Sequence, residues 1–194
     1  MKKSIFRILT VLLGVLSLIS PLTASAYYSY DTYTYSIDGW YMNSPDAYVP
    51  SEIVDSDSIG LSVDIDNPKD ITVDSDKNVY IADATNNRIV VLNNRFKRRF
   101  EIANFTNQHG IKDSLANPSG VFVTDSKIYV ADTDNSRIVV FDKEGKFLET
   151  IGKPVSQEIS VDDLYRPIAL SVDSAGRMYI VSSTTYRGII AINK

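Results

Sequence analysis

The strongest constraint on this chain is a stretch that it contains twice. Residues 78–92 read NVYIADATNNRIVVL, and residues 127–141, 49 positions later, read KIYVADTDNSRIVVF. A weaker third copy, RMYIVSSTTYRGIIA, occupies residues 177–191. Self-similarity at this period, in segments rich in Val, Ile and Tyr, marks an array of small β units. Each unit opens on a proline, at Pro68, Pro118 and Pro167, with intervals of 50 and 49. Proline cannot donate to a strand ladder, so it suits the point where one sheet hands over to the next.

Inside each unit the order of elements is the same. A first strand is expected at 70–74, 120–124 and 169–173, followed by a turn of Asp, Ser, Asn and Gly. A second strand follows at 79–82, 128–131 and 178–181, then a six-residue link and a third strand at 89–92, 138–141 and 189–192. Repeats one and two add a fourth strand, over 98–105 and 147–152, which the third lacks before the sequence reaches Lys194. A lone meander of four short strands leaves a face uncovered, and radial stacking of such sheets covers it. The chain is therefore expected to be all-β, with about three four-stranded antiparallel propeller blades at 67–116, 117–165 and 166–194. Three blades leave the ring incomplete or composite. It could continue in further sequence, use a strand expected at residues 59–65 as the outer strand of blade three, or close with a second copy as a homodimer of six blades.

The pattern N-P-x-[DG]-[IV]-x-V-[DT], then [IV]-Y-[IV]-A-D-[AT]-x-N-x-R-I-V-V-[LF], resembles the NHL repeat, over residues 67–194. The third copy departs from it, with Ser182-Ser183-Thr184-Thr185-Tyr186-Arg187 in place of A-D-x-x-N-x-R. The resemblance implies propeller blades, commonly six to a ring. The Tyr-rich leader ending in SPDAYVP resembles leaders of exported bacterial NHL-repeat proteins. The implied role is a scaffold or recognition module for a protein or a cell-envelope glycan. The same resemblance extends to propeller hydrolases and lyases of the lactonase type, whose site a second chain or further sequence would complete. A truncated gene product without independent function is the third alternative.

The first 26 residues read as a secretory signal peptide. Lys2, Lys3 and Arg7 precede an apolar run from Ile8 to Ile19, Pro21 breaks it, and Ala24-Ser25-Ala26 has the small-x-small cleavage pattern. Cleavage after Ala26 predicts a secreted, extracellular protein without stable membrane insertion. It removes three of the 20 cations and leaves 17 against 24 acids, a net charge of −7. That charge disfavours nucleic acid as a partner. With no Cys in the chain, stability must come from packing.

Residues 27–66 form the Tyr-rich leader and a capping strand. Tyr28, Tyr30, Tyr33 and Tyr35 alternate with polar residues, and Trp40 and Tyr41 follow, so these six are the candidate partner surface. The loops at 105–116 and 153–165 are further candidates, because loops on a rigid scaffold carry function. Asp83 with Arg88, and Asp132 with Arg137, flank the link between strands two and three and are expected to form braces. Asn87 and Ser136 are expected to bond the link backbone. No catalytic, cofactor-binding or metal-binding residue is assigned. The lone His109 sits in a loop, no G-x-S-x-G elbow exists, and Arg95, Lys97, Arg98 and Arg99 read as a solvated hairpin turn.

Overall fold

Pro68, Pro118 and Pro167 each begin the first strand of a separate antiparallel sheet. The computed structural model describes residues 33–43, 52–156, 159, 162–184 and 189–193. These fall into two compact units, within Met1–Ile53 and Val54–Lys194. The signal-peptide region, Tyr28 and Tyr30 lie outside the described residues.

In the first unit, β1 (Tyr33–Tyr35) pairs with β2 (Tyr41–Asn43), with Tyr35 opposite Tyr41. Ser36 Oγ accepts from the backbone N–H of Asp38 and Trp40, and Gly39 supplies the positive φ of 80° that the turn needs. The expected extended leader is thus a hairpin where it is described.

The second unit holds the blades. Blade one is β3 (Pro68–Val73), β4 (Val79–Asp83), β5 (Arg88–Leu92) and β6 (Arg98–Ile102), in that order across the sheet. A hairpin, β7 (Asn104–Thr106) with β8 (Lys112–Ser114), leads to blade two. Blade two is β9 (Pro118–Val123), β10 (Lys127–Asp132), β11 (Arg137–Asp142) and β12 (Phe147–Ile151). Blade three has three strands, β13 (Pro167–Val172), β14 (Met178–Ser182) and β15 (Ile189–Ile192). The hairpin turns open on Asp74, Asn93, Asp142 and Asp173, whose side chains accept from backbone N–H groups two to four residues on.

The sheets stack face to face, with the first strands adjacent: β9 lies against both β3 and β13. Each blade has a near face, towards the blade before it, and a far face, towards the blade after it. The far face of blade one (Tyr80, Ala82, Ile89, Val91) packs on the near face of blade two (Val121, Ile128, Val130, Val139, Phe141). The far face of blade two (Ala131, Ile138, Val140) packs on the near face of blade three (Met178, Ile180, Ile190). This is why β4, β5, β10 and β11 read as nearly continuous apolar runs: they are covered on both sides.

Two expectations are corrected. Residues 59–65 do not form a strand. Asp55 caps a short helix, α1 (Ser56–Ile59), by accepting from Ser58 N–H at 2.8 Å, and Gly60 ends it at φ 86°. Ile59, Leu61 and Ile65 instead pack on Val79, Val90 and Leu92, on the near face of blade one. The segment is a cap of blade one, so the same residues cannot be the outer strand of blade three. The second correction concerns the loop after blade one. It is the β7–β8 hairpin, seated on blade two by Phe105, whose ring stacks on Phe147 at 5.3 Å and meets Phe141 edge-on at 5.2 Å.

Candidate functional site

The recurring polar residues converge on the link between the second and third strands. In blade one the Asp83 carboxylate is fully buried. It accepts from Arg88 Nε at 2.7 Å, from Asn86 Nδ2 at 2.9 Å and from Asp66 N–H at 2.9 Å. In blade two Asp132 repeats this arrangement with Arg137 Nε at 2.7 Å, Asn135 Nδ2 at 2.9 Å and Ala116 N–H at 2.7 Å. The guanidinium of Arg88 continues to Glu101 at 3.0 Å and to the Val63 carbonyl at 2.7 Å. That of Arg137 makes a two-pronged pair with Asp113, at 2.7 and 2.9 Å, and bonds the Ser114 carbonyl at 3.0 Å.

Each Asp–Arg pair therefore clamps the link to the segment that leads into its own blade. Their hydrogen-bonding capacity is divided between side chains of the brace and backbone groups of that segment. Bonds from Arg137 hold the Asp113 carboxyl down at about 2, against the opposing effect of burial.

Sequence reasoning assigned the link to Asn87 and Ser136, and the structure gives it to Asn86 and Asn135. Asn87 and Ser136 hold the left-handed backbone of the link, at φ 54° and 53°. Asn87 Oδ1 accepts instead from Asn117 N–H at 2.7 Å, where blade two begins. Glu101 and Asp113 carried no sequence signal, because they come from different elements in the two repeats. The Asn at Asp+3, present in both copies, was the signal available.

In blade three Ser182 stands where the Asp stood. Its Oγ accepts from Arg166 N–H at 3.0 Å. Val181 pairs with Ile189 across the link, eight positions on, where Ala82 pairs with Ile89, seven positions on. The third link is one residue longer than the expected six. Arg187 lies outside the described residues.

The blades are also tied across their interfaces. Lys143 of blade two reaches Asp74 of blade one at 2.6 Å and lies over the Tyr80 ring, 5.1 Å from its centre. Burial would raise the Asp74 carboxyl, but hydrogen bonds from Lys143, Asn78 and Tyr80 outweigh it and hold the group far below the usual range. Asp70 Oδ2 accepts from Val121 N–H at 2.9 Å.

Of the candidate partner surface, the described hairpin leaves Tyr35, Trp40 and Tyr41 exposed, with the Tyr35 and Tyr41 rings 5.5 Å apart. Tyr33 lies in β1. His109 is exposed at the tip of the β7–β8 hairpin. Among the described residues no group of three His, Cys, Asp or Glu side chains converges to hold a metal ion. No helix among them is long and apolar enough to cross a membrane.

Comparison with known proteins agrees with this geometry. A family model for the NHL repeat matches residues 66–92, and one described as a 6-bladed beta-propeller matches residues 111–154. No curated protein matches the chain. Among solved structures, hydrazine synthase of Kuenenia stuttgartiensis is 16% identical, over 69% of this chain and 34% of that one, with a TM-score of 0.51. A streptogramin B lyase is 16% identical over 69% and 43%, with a TM-score of 0.44. Virginiamycin B lyase of Staphylococcus aureus is 12% identical over 84% and 48%, with a TM-score of 0.38. The chain spans less than half the length of these structures, and at such identities the likeness concerns the fold alone. With the two family matches on repeats one and two, and sheets stacked face to face from adjacent first strands, this is a chain of NHL-type β-propeller blades.

Proposed function

We propose that the protein is exported from a bacterial cell and works as a binding module, in which the hairpin of the first unit offers aromatic side chains to a cell-envelope glycan or protein. The observation that carries this reading is the β1–β2 hairpin, which holds Tyr35, Trp40 and Tyr41 exposed on one short turn. Flat aromatic faces stack on the apolar faces of sugar rings and serve equally as anchors at protein interfaces. The recurring Asp, Asn and Arg side chains, the most reactive-looking set in the sequence, are occupied in holding the links. That occupation supports a binding role over a catalytic one.

The test is retention of residues 27–194 on insoluble cell-wall glycan and on separated envelope proteins. Trp40→Ala combined with Tyr41→Ala is expected to weaken retention by about tenfold, equivalent to ~1.4 kcal/mol. Retention unchanged by this pair of substitutions, or no retention on either material, would overturn the proposal.

A further inference from the structure

The β1–β2 hairpin lies in the most one-sided stretch of charge in the sequence. Between Arg7 and Lys69 there are eight Asp and Glu and no Lys, Arg or His. That leaves 16 of the 24 acids for residues 67–194, against 17 cations. The blades are thus close to neutral, and the negative charge of the chain is concentrated ahead of them. Four of the eight acids, Asp31, Asp38, Asp46 and Glu52, belong to the first unit with the hairpin. Tyr and Trp are concentrated in the same place: seven of the 12 Tyr and the single Trp lie in residues 27–50.

The turn of the hairpin fixes how these groups are offered. The Ser36 carbonyl accepts from Gly39 N–H at 2.9 Å, and Ser36 N–H donates to the Trp40 carbonyl at 2.9 Å. Its Oγ accepts from the N–H of Asp38 and Trp40, at 3.3 and 3.2 Å. Ile37, Asp38 and Trp40 are all left exposed. The Asp38 carboxylate has no hydrogen-bond or ion-pair partner among the described residues. Tyr35 and Tyr41 are paired across the strands, and Met42, on the opposite face, is exposed as well. A two-stranded hairpin is marginally stable on its own in water. One that exposes Tyr35, Ile37, Trp40, Tyr41 and Met42 gains most from a partner that covers them.

We infer that this partner is a basic protein surface, with Arg side chains that stack on Tyr35, Trp40 and Tyr41 and pair with Asp38. A guanidinium is attracted both to the face of an aromatic ring and to a carboxylate, so one residue type answers both kinds of group on the hairpin. The acids that neighbour the hairpin in sequence repel an anionic partner and steer a cationic one. Ile37 and Met42 decide between a protein and a glycan. Sugar rings stack on aromatic faces but offer little to an exposed isoleucine. Aromatic residues and Met are enriched at the buried centre of protein interfaces, and Arg with them. The inference rests on the reading of the hairpin as the binding element, and it narrows the partner from two classes to one.

Trp40 is the only Trp in the chain, so tryptophan fluorescence reports on the hairpin alone. The experiment titrates residues 27–194 with a synthetic peptide of alternating Arg and Leu, with the same peptide carrying Glu for Arg, and with N-acetylglucosamine oligosaccharides. The Arg peptide is expected to shift the Trp40 emission to saturation, and the other two to leave it unchanged. Asp38→Asn is expected to weaken binding of the Arg peptide by about threefold, and Tyr41→Ala by about fivefold. Asp38 enters the turn only through its backbone N–H, so the Asn substitution leaves the turn intact. Glu144→Gln, an equal change of net charge in an exposed turn of blade two, is expected to have no effect. A response to the Glu peptide as strong as that to the Arg peptide overturns the inference. So does equal weakening by Asp38→Asn and Glu144→Gln, which would trace the binding to net charge. A response to the oligosaccharides alone overturns it in favour of a glycan and leaves the proposed binding role standing. No response to any of the three overturns it too, and the retention experiment then decides separately on the binding role. The emission of a buried indole before any addition would show that the chain itself covers the hairpin, and would likewise overturn the inference.

Discussion

Repeats one and two hold their links with charge, and repeat three holds its link with a hydroxyl. In the first two, a buried carboxylate gathers an Arg, an Asn and a backbone N–H within 2.9 Å. In the third, Ser182 accepts one backbone N–H, at 3.0 Å. The change reaches beyond one side chain. The link after Ser182 is a residue longer, and the approach to Pro167 lacks the left-handed Asn that precedes Pro68 and Pro118 at φ 53° and 52°. A charged brace needs each donor at a fixed reach, because a buried ion pair with one partner misplaced costs more than it returns. A hydroxyl tolerates the altered spacing. The loss of the brace and the loss of the spacing are thus one event.

The largest expected effect breaks that contrast directly. Asp132→Ala leaves Arg137 without its Nε partner and the Ala116 N–H without an acceptor, and should cost about 3–5 kcal/mol. Ser182→Ala removes the neutral bond from Arg166 N–H and a longer one with the Thr184 hydroxyl, at 3.4 Å, and should cost about 1 kcal/mol. Urea denaturation of both variants measures the difference. Equal losses would mean that the carboxylate contributes no more than a hydroxyl, and the contrast between the repeats would collapse.

The two blade interfaces differ in the same spirit. Asp70 and Gly120 occupy one register position, opposite Ala82 and Ala131. Asp70 reaches across to blade two with its side chain. Gly120 has none, and a Cβ there would stand 2.8 Å from the Ile168 carbonyl oxygen and 3.0 Å from the Ala169 Cα. Both are backbone atoms that cannot turn aside. Gly120→Ala should destabilise by about 1–3 kcal/mol through overpacking, read as a lowered urea midpoint. An unchanged midpoint would show that blades two and three are not held at this spacing.

Acid sharpens the comparison of charged against uncharged repeats. Asp113 and Asp74 both sit below their unfolded values, so their contributions are full above about pH 4 and fade as pH falls through the folded values. For Asp113, from the ordinary 3.8 to about 2, the stabilisation at stake is roughly 2 kcal/mol. Asp113→Asn should remove that part of the acid sensitivity between pH 4 and 2 while leaving the Asp74 part, which is lost at still lower pH. A stability curve of unchanged steepness in Asp113→Asn would mean that the Arg137 pair does not act as described.

The repeats made the architecture legible, because period, proline spacing and alternation all report burial, and burial is what a propeller blade imposes on its strands. The same logic misled at residues 59–65. Alternation marked Ile59, Leu61, Val63 and Ile65 as inward, which holds for Ile59, Leu61 and Ile65 but not for the exposed Val63, because alternation cannot see that the Asp55 cap and the left-handed Gly60 bend the backbone out of a strand. The Asp–Arg pairs were legible because they recur at a fixed separation. Their outer partners were not, since Glu101 comes from β6 and Asp113 from β8, and only the fold brings them to equivalent places. The aromatic hairpin was visible as composition but not as a turn, which depends on Ser36 and Gly39.

The smallest expected effect concerns a position where repeat three departs from the other two inside the core. Asp66, Ala116 and Arg166 accept equivalent backbone bonds, from Thr85, Asp134 and Ser183, so the residues before them, Ile65, Leu115 and Tyr165, share one site. In repeats one and two that site holds a hydrocarbon packed in a core. In repeat three it holds a tyrosine, 4% exposed, whose hydroxyl has no hydrogen-bond partner among the described residues. Burial pushes that hydroxyl up to about 12. A buried hydroxyl without a partner carries its desolvation cost with no return. Tyr165→Phe keeps the ring against Ile138, Val140 and Ile180 and deletes the orphan group, so it should stabilise the chain by about 1 kcal/mol, read as a higher urea midpoint. A loss of stability would mean that the hydroxyl has a partner in the folded chain, and that this site in repeat three has acquired a polar bond which the site in repeats one and two does without.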